Sequence, residues 1–123
     1  MNRPPVAFIV TALTAIVISA CGGPTEAELM AAAKASIEKK EPNAAIVHLK
    51  AALQKNEQAG EGRYLLGKLL LENGDAPSAD VELSKALVLG YDNDAAVPLL
   101  ARAWLLTRQY RKLIDNYANT DLE

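Results

Sequence analysis

A sequence pattern that repeats at a spacing of 34 residues is the feature that most constrains how this chain folds. Small and apolar residues recur without a gap: Ala45, Leu49, Ala52 and Leu53 return as Ala79, Leu83, Ala86 and Leu87. A fixed period of this length is typical of repeat proteins in which each unit is a helical hairpin that buries its apolar face by stacking on its neighbours. The sequence therefore predicts an all-α fold, with function on a surface rather than in a catalytic pocket.

The unit of the repeat is predicted to be helix, turn, helix. Two apolar helical runs flank Gly74-Asp75, so this pair predicts a turn, with Asp75 capping the second helix and Pro77 in its first turn. A small residue recurs at the position where the two helices of a hairpin are expected to cross: Ala33, Gly67 and Ala101.

The same pattern predicts six helices and no strand. Thr25 and Glu28 have the spacing of a capping box that opens the first helix. The predicted helices span residues 26–39, 43–56, 60–73, 76–89, 95–107 and 110–118.

These positions resemble the tetratricopeptide repeat, whose first helix carries Leu-Gly and whose second carries two alanines around a large apolar residue. The second copy matches best, with Leu66-Gly67 in its first helix and Ala79 and Ala86 in its second. The resemblance covers about Glu26 to Thr120 and implies a solenoid of about three hairpins. The alternative is an irregular helical bundle with chance spacing.

The last hairpin fits the pattern least. Leu113 and Thr120 stand where its second helix should carry the two alanines. Leu113, Ile114 and Tyr117 are expected to lack a following repeat that would cover them.

The amino terminus has the layout of a secretory signal. Positive charge at Arg3 precedes an uncharged apolar stretch, Val6–Ile18, which is shorter than the roughly 20 residues that a membrane-spanning helix needs. A small residue, Ala20, directly precedes Cys21. This pair resembles the bacterial lipobox, which implies lipid attachment to Cys21 and removal of the residues before it. The alternative is an ordinary signal peptide with an incidental cysteine.

Three parts of the chain follow from this interpretation: a lipoprotein signal peptide at 1–20, a lipidated tether at 21–25 and a helical repeat domain at 26–123. Cys21 is the only cysteine, so an intrachain disulfide is excluded. Gly22 follows it in place of Asp, which resembles lipoproteins sent to an outer membrane. The expected location is the periplasmic face of the outer membrane of a Gram-negative bacterium. The inner membrane is the alternative location.

Composition argues against several functional classes. The chain has 13 Lys and Arg against 15 Asp and Glu, and this balance lacks the basic excess that nucleic-acid binding requires. His48 is the only histidine, so a Cys/His metal cluster is excluded. Asp92 and Asp94 resemble the start of a calcium loop, but Ala103 stands where its closing glutamate should be. We therefore expect no catalytic residues, metal or cofactor, and no enzymatic activity.

Basic residues occupy one repeat position in all three copies: Lys34, Lys68 and Arg102. In the family that the chain resembles, this position faces the concave groove. The three bases, called the basic ladder below, would favour acidic protein partners. Tyr64 is the aromatic residue predicted to face the same groove.

The alternative for the basic ladder is pairing within each helix. Glu38 and Glu72 follow the two lysines by four residues, a spacing that favours weak ion pairs on a helix surface. Leu106 stands at the corresponding place after Arg102, which is left without such a partner.

A closer resemblance rests on two short sequence segments, Leu87–Asp92 and Pro98–Ala103, together with the lipobox and the short Gly-rich tether. They are similar to the amino-terminal part of the tetratricopeptide lipoproteins of PEP-CTERM/exosortase exopolysaccharide systems. Those proteins are several times longer, so this resemblance implies the start of a longer array. It also implies a scaffold that binds protein partners and is linked to exopolysaccharide export or surface-protein sorting.

Two alternatives remain open at this stage. One is an assembly lipoprotein of an outer-membrane machine, such as a pilus or barrel-insertion complex. The other is a polysaccharide-handling subunit, for which Tyr64 would supply the outward-facing aromatic ring.

Overall fold

Six helices make up the described part of the chain in the computed structural model, which covers residues 22–117. They are α1 (Glu26–Glu38), α2 (Pro42–Lys55), α3 (Gly60–Glu72), α4 (Ala76–Val88), α5 (Asn93–Leu106) and α6 (Tyr110–Tyr117). All six predicted helices are confirmed, and residues 22–117 contain no strand. The predicted signal peptide, Cys21 and Thr120 lie outside the described residues.

The helix starts use the side chains that the sequence predicts. The Glu28 backbone N–H donates to Thr25 Oγ1 at 3.3 Å, and the Thr25 N–H donates to Glu28 Oε2 at 2.8 Å, which closes the capping box. Asp75 caps α4 by accepting a hydrogen bond from the Ser78 N–H at 3.2 Å. The Asp92 carboxylate caps α5 by accepting a hydrogen bond from the Asp94 N–H at 2.9 Å.

The turn inside each hairpin has the same backbone geometry in all three copies. Each turn is closed by a hydrogen bond from a backbone N–H group to the carbonyl five residues earlier. These bonds run from Glu41 to Ser36 at 2.9 Å, from Asp75 to Leu70 at 2.8 Å and from Gln109 to Trp104 at 2.8 Å. The residue before each donor has a left-handed backbone, with φ of 59° at Lys40, 87° at Gly74 and 60° at Arg108. The 34-residue period is therefore a structural period, although glycine occupies this strained position in one copy of three.

Replacing Lys40 by glycine should raise the free energy of unfolding by about 0.5 to 1 kcal/mol. Glycine removes the cost of a left-handed conformation at this exposed position, although it also makes the unfolded chain more flexible. The matched control is Lys39→Gly, because Lys39 has an ordinary right-handed backbone and gains nothing from glycine. Chemical denaturation measures both variants, and equal shifts would contradict the prediction.

The core runs through the stack in two clusters that share Leu70. The first lies between α1, α2 and α3, and the second lies between α3, α4, α5 and α6. Their largest fully buried side chains are Leu49 and Leu83, which occupy the same position in successive repeats. Each hairpin thus buries its apolar face against the first helix of the next one, as a tetratricopeptide-type solenoid requires.

Gly67 lies at the crossing of α3 and α4, as the repeat predicts. A Cβ atom built at Gly67 would lie 2.6 Å from Leu83 Cγ and 3.2 Å from the Leu83 backbone nitrogen. The backbones of the two helices therefore approach more closely here than any side chain at position 67 permits.

The expectation for the end of the last hairpin is partly wrong. Leu113 and Tyr117 are half-buried against the second core cluster, and the Tyr117 hydroxyl donates to the Val97 carbonyl at 2.9 Å. The helix α5 of the same hairpin covers them, so they do not need a following repeat. Ile114 agrees with the expectation, since 62% of it is exposed.

Among the helices described for residues 22–117, none is both long enough and apolar enough to span a bilayer.

Candidate functional site

The basic ladder lies on the first helices of the three hairpins. Lys34, Lys68 and Arg102 are on α1, α3 and α5, and all three side chains are exposed. Because they occupy one repeat position on helices that stack in order, their charges follow one another along the solenoid.

The alternative of ion pairs within each helix is wrong. Lys34 pairs with Glu61 of α3, with Nζ 2.8 Å from Oε1, rather than with Glu38. Neither Lys68 nor Arg102 forms an ion pair with any residue of the described range 22–117. Glu61 therefore neutralises the first base of the ladder across a hairpin junction, while the second and third stay available.

Exposure limits how firmly Glu61 holds Lys34. Both side chains of this pair are about half exposed, at 50% and 49%. Exposed ion pairs of this kind stabilise a protein by about 0.2 to 1 kcal/mol, so an acidic ligand could displace Glu61 at small cost.

Tyr64, which is predicted to face the groove, has an aromatic neighbour. Its ring stacks on the ring of Tyr91, with centroids 4.7 Å apart and planes inclined by 22°. Tyr64 is half-buried and packs against the second core cluster. Burial, followed by the nearby Tyr64 and Glu61, raises the pKa of the Tyr91 hydroxyl above its ordinary value. One face of the Tyr64 ring is thus occupied within the protein, which weakens its role as an outward aromatic.

Asp80 is a buried polar residue that the sequence did not single out. The residue is 8% exposed, and its carboxylate accepts four side-chain hydrogen bonds. The donors are Trp104 Nε1 at 2.9 Å, Lys112 Nζ at 3.1 Å, Ser84 Oγ at 3.2 Å and Gln109 Nε2 at 3.2 Å. Burial by itself raises the pKa of Asp80, but the hydrogen bonds from Trp104, Lys112 and Gln109 and the charge of Lys112 together outweigh burial, and the pKa lies below its ordinary value.

The Asp80 network is a structural link rather than a binding site. It ties α4 to α5 and α6, and no buried side-chain polar atom in the described residues lacks a hydrogen-bond partner. Trp104 packs in the core, where it is 6% exposed within the second cluster. Its indole N–H also donates a hydrogen bond to Asp80, a contact that the repeat pattern does not predict.

A second polar link ties the linker between α2 and α3 to the second hairpin. Arg63 Nη1 lies 2.7 Å from Glu82 Oε2, and both side chains are largely buried. The Arg63 guanidinium also donates to the Glu57 carbonyl from Nε at 3.2 Å and from Nη2 at 3.0 Å. These contacts fix the linker between α2 and α3 against α4, so Arg63 is held in place and is not available to a ligand.

The described residues present exposed charged groups at their surface. In the range 22–117, no group of three or more His, Cys, Asp or Glu side chains is arranged to hold a metal ion. The polar clusters at Asp80 and Arg63 are satisfied internally. In the basic ladder, Lys68 and Arg102 are exposed and have no ion pair within residues 22–117. Their charges can therefore bind an anionic partner.

Comparison with known sequences agrees with this architecture. No curated protein matches the chain. A family model described as Tetratricopeptide repeat matches residues 36–103, more than half of the chain, from the last turn of α1 through most of α5. Repeats of this family generally mediate protein–protein interaction, and they are typically non-enzymatic scaffolds. The chain belongs to the tetratricopeptide repeat family.

Proposed function

We propose that the protein is a lipid-anchored periplasmic scaffold that binds acidic segments of protein partners through the basic ladder. The observation that carries the proposal is the pair Lys68 and Arg102, which are exposed, equivalent in the repeat and without ion pairs in residues 22–117. Carboxylates of a partner would supply the missing counter-charges. Lys34 would join them when a ligand displaces Glu61.

Reversing the two available charges should weaken binding to an acidic peptide by about tenfold, since each exposed pair contributes about 0.5 to 1 kcal/mol. The test compares the double variant Lys68→Glu/Arg102→Glu with wild type, using fluorescence anisotropy of a synthetic glutamate-rich peptide at several salt concentrations. Salt dependence should fall in parallel because fewer charge pairs form.

The matched control for this prediction is Lys39→Glu/Lys55→Glu, which changes the net charge equally at exposed positions outside the ladder. Lys34→Glu should weaken binding less than either single reversal at Lys68 or Arg102, because Glu61 already neutralises Lys34. Equal losses in the control and ladder variants would show that only net charge matters and would contradict the proposal.

The anchor is proposed from the lipobox resemblance at Ala20-Cys21. Because lipid transfer requires the cysteine thiol, Cys21→Ala should leave an unprocessed precursor, or a form that no longer partitions into detergent. Labelled fatty acid should enter the wild-type protein and not the variant. Wild-type protein that carries no label and yet stays in the membrane fraction would exclude a lipoprotein.

The cellular role is proposed from the closer resemblance, which links the chain to exopolysaccharide export or surface-protein sorting. Wild-type protein is expected to capture components of such an export system from periplasmic extract, and the Lys68→Glu/Arg102→Glu variant is expected to lose them. An unchanged set of captured proteins would place recognition away from the basic ladder.

A further inference from the structure

Large apolar side chains are exposed on the last hairpin at positions that are buried one repeat earlier. In the second hairpin these positions are 3%, 5% and 8% exposed, at Leu71, Ala76 and Asp80. In the third hairpin they are 50%, 53% and 62% exposed, at Leu105, Tyr110 and Ile114. The second hairpin owes its burial to the helices of the third, which supply Trp104 and Lys112 to this surface. The exposed set thus has the geometry of a surface that receives a helix.

Positive charge flanks this apolar set. Arg108 lies in the turn between Leu105 and Tyr110, and Arg111 lies in the first turn of α6. Both arginines are exposed, and neither forms an ion pair with a residue in the described range. Asp115 is the acidic residue beside Ile114, so the described residues around the apolar set carry a net positive charge. Lys112 does not contribute, because it is paired with Asp80.

We propose that this surface, the terminal face (Leu105, Tyr110, Ile114, Arg108 and Arg111), docks a helix of a partner protein that carries an apolar stripe flanked by carboxylates. Arginine and large apolar or aromatic side chains are the residues that protein interfaces favour at their centres. The apolar positions fit a helix because the equivalent positions in the second hairpin are covered by the helices α5 and α6. The two arginines select acidic flanks on that helix.

The terminal face goes beyond the basic ladder and can fail independently of it. Lys68 and Arg102 are not part of it, and its apolar members do not depend on ladder charges. A symmetric dimer through the terminal face is disfavoured, because it would bring the unpaired arginines of the two copies together.

The test uses a designed 14-residue helical peptide with leucines at helical spacing and glutamates on both flanks, labelled for fluorescence anisotropy. A second peptide has lysine in place of every glutamate. The acidic peptide should bind the purified protein, and the lysine peptide should bind at least about tenfold more weakly. Ile114→Asp should weaken binding of the acidic peptide by at least about tenfold, since it places a like charge in the apolar stripe.

Matched variants separate the terminal face from other surfaces. Arg108→Glu/Arg111→Glu should weaken binding and reduce its salt dependence, whereas Lys39→Glu/Lys55→Glu, which changes the net charge equally at exposed positions outside the terminal face, should leave it unchanged. Val88→Asp is the control for an exposed apolar residue elsewhere, because Val88 is 87% exposed on α4. Circular dichroism checks the fold of each variant, and Ile114→Ser replaces Ile114→Asp if the latter unfolds.

Five results would overturn the proposal. Equal binding of the two peptides, or binding that ignores Ile114→Asp, would remove the terminal face as the site. Dimerisation in light scattering that Ile114→Asp abolishes would make a second copy the occupant. Co-sedimentation with phosphatidylglycerol vesicles that the same change abolishes would make it a membrane surface. Complete protection of Ile114→Cys from maleimide in the purified protein, measured against wild type, would mean that its own polypeptide covers the face.

Discussion

Gly67→Leu is expected to lower the free energy of unfolding by about 3 kcal/mol, because the crossing of α3 and α4 leaves no space for a side chain. Even a Cβ atom at this position would lie 2.6 Å from Leu83 Cγ, and Leu83 is fully buried and cannot move aside. Thermal or urea denaturation followed by circular dichroism measures the loss.

Gly67→Ala should also destabilise the protein, although helix propensity alone favours alanine by about 1 kcal/mol. The closest atom to the added methyl is a branch point of the Leu83 side chain, and the Leu83 backbone nitrogen follows at 3.2 Å. Gly62→Ala is the matched control on the same helix. There the added methyl would meet the flexible ends of Leu53 and Met30 at 3.3 and 3.4 Å. Similar stability changes in the two alanine variants would show that the helix crossing is not tight.

Asp80→Ala is expected to cost about 3 kcal/mol, since it leaves the buried Trp104 indole N–H without an acceptor and removes the Lys112 ion pair. Asp80→Asn should cost less, because an amide oxygen can still accept from Trp104. Asp115→Ala is the control, an exposed carboxylate on α6 whose removal should change stability by less than about 0.5 kcal/mol. A loss for Asp80→Ala no larger than that of the control would show that the network adds no stability.

The Asp80 contribution should disappear in acid. Its pKa is lower in the folded protein than its ordinary value of 3.8, so the charged form stabilises the fold fully above that value. As the pH falls below 3.8 and through the folded pKa, this contribution is lost. The difference in stability between wild type and Asp80→Asn should therefore narrow below pH 3.8, as urea titrations across pH would show. Capping residues Glu28 and Asp75 also have lowered pKa values, and their effect cancels in the comparison.

The spacing of apolar residues was sufficient to predict the helices and their order. Helix starts followed from local chemistry, as at Thr25 and Asp75, because a cap depends on residues within one turn. The position of the Gly67 crossing followed from the repeat itself. These features depend on short-range sequence or on the period, and both are visible in the chain.

Contacts between hairpins were not predictable in the same way. Asp80 meets donors 24 to 32 residues away, and nothing near it in the sequence marks it as buried. The spacing in the sequence favours Glu38, one turn away, as the partner of Lys34, but the stacking of α1 on α3 brings Glu61 closer. The stacking of Tyr64 on Tyr91 likewise depends on how the chain leaves α4. Such contacts are set by the angle between hairpins, which the period does not encode.

The two junctions between hairpins differ chemically, and this difference favours one order of the three hairpins over the others. At the first junction Ile46 and Leu70 belong to an apolar core, whereas the equivalent positions at the second are Asp80 and Trp104, joined by a hydrogen bond. If the third hairpin docked on the first, the Trp104 indole N–H would lie against the apolar Ile46. Asp80 would then lose the hydrogen bond that Trp104 donates to it. Near-identical repeats can exchange places during folding or after duplication, and here one pair of side chains makes such an exchange costly.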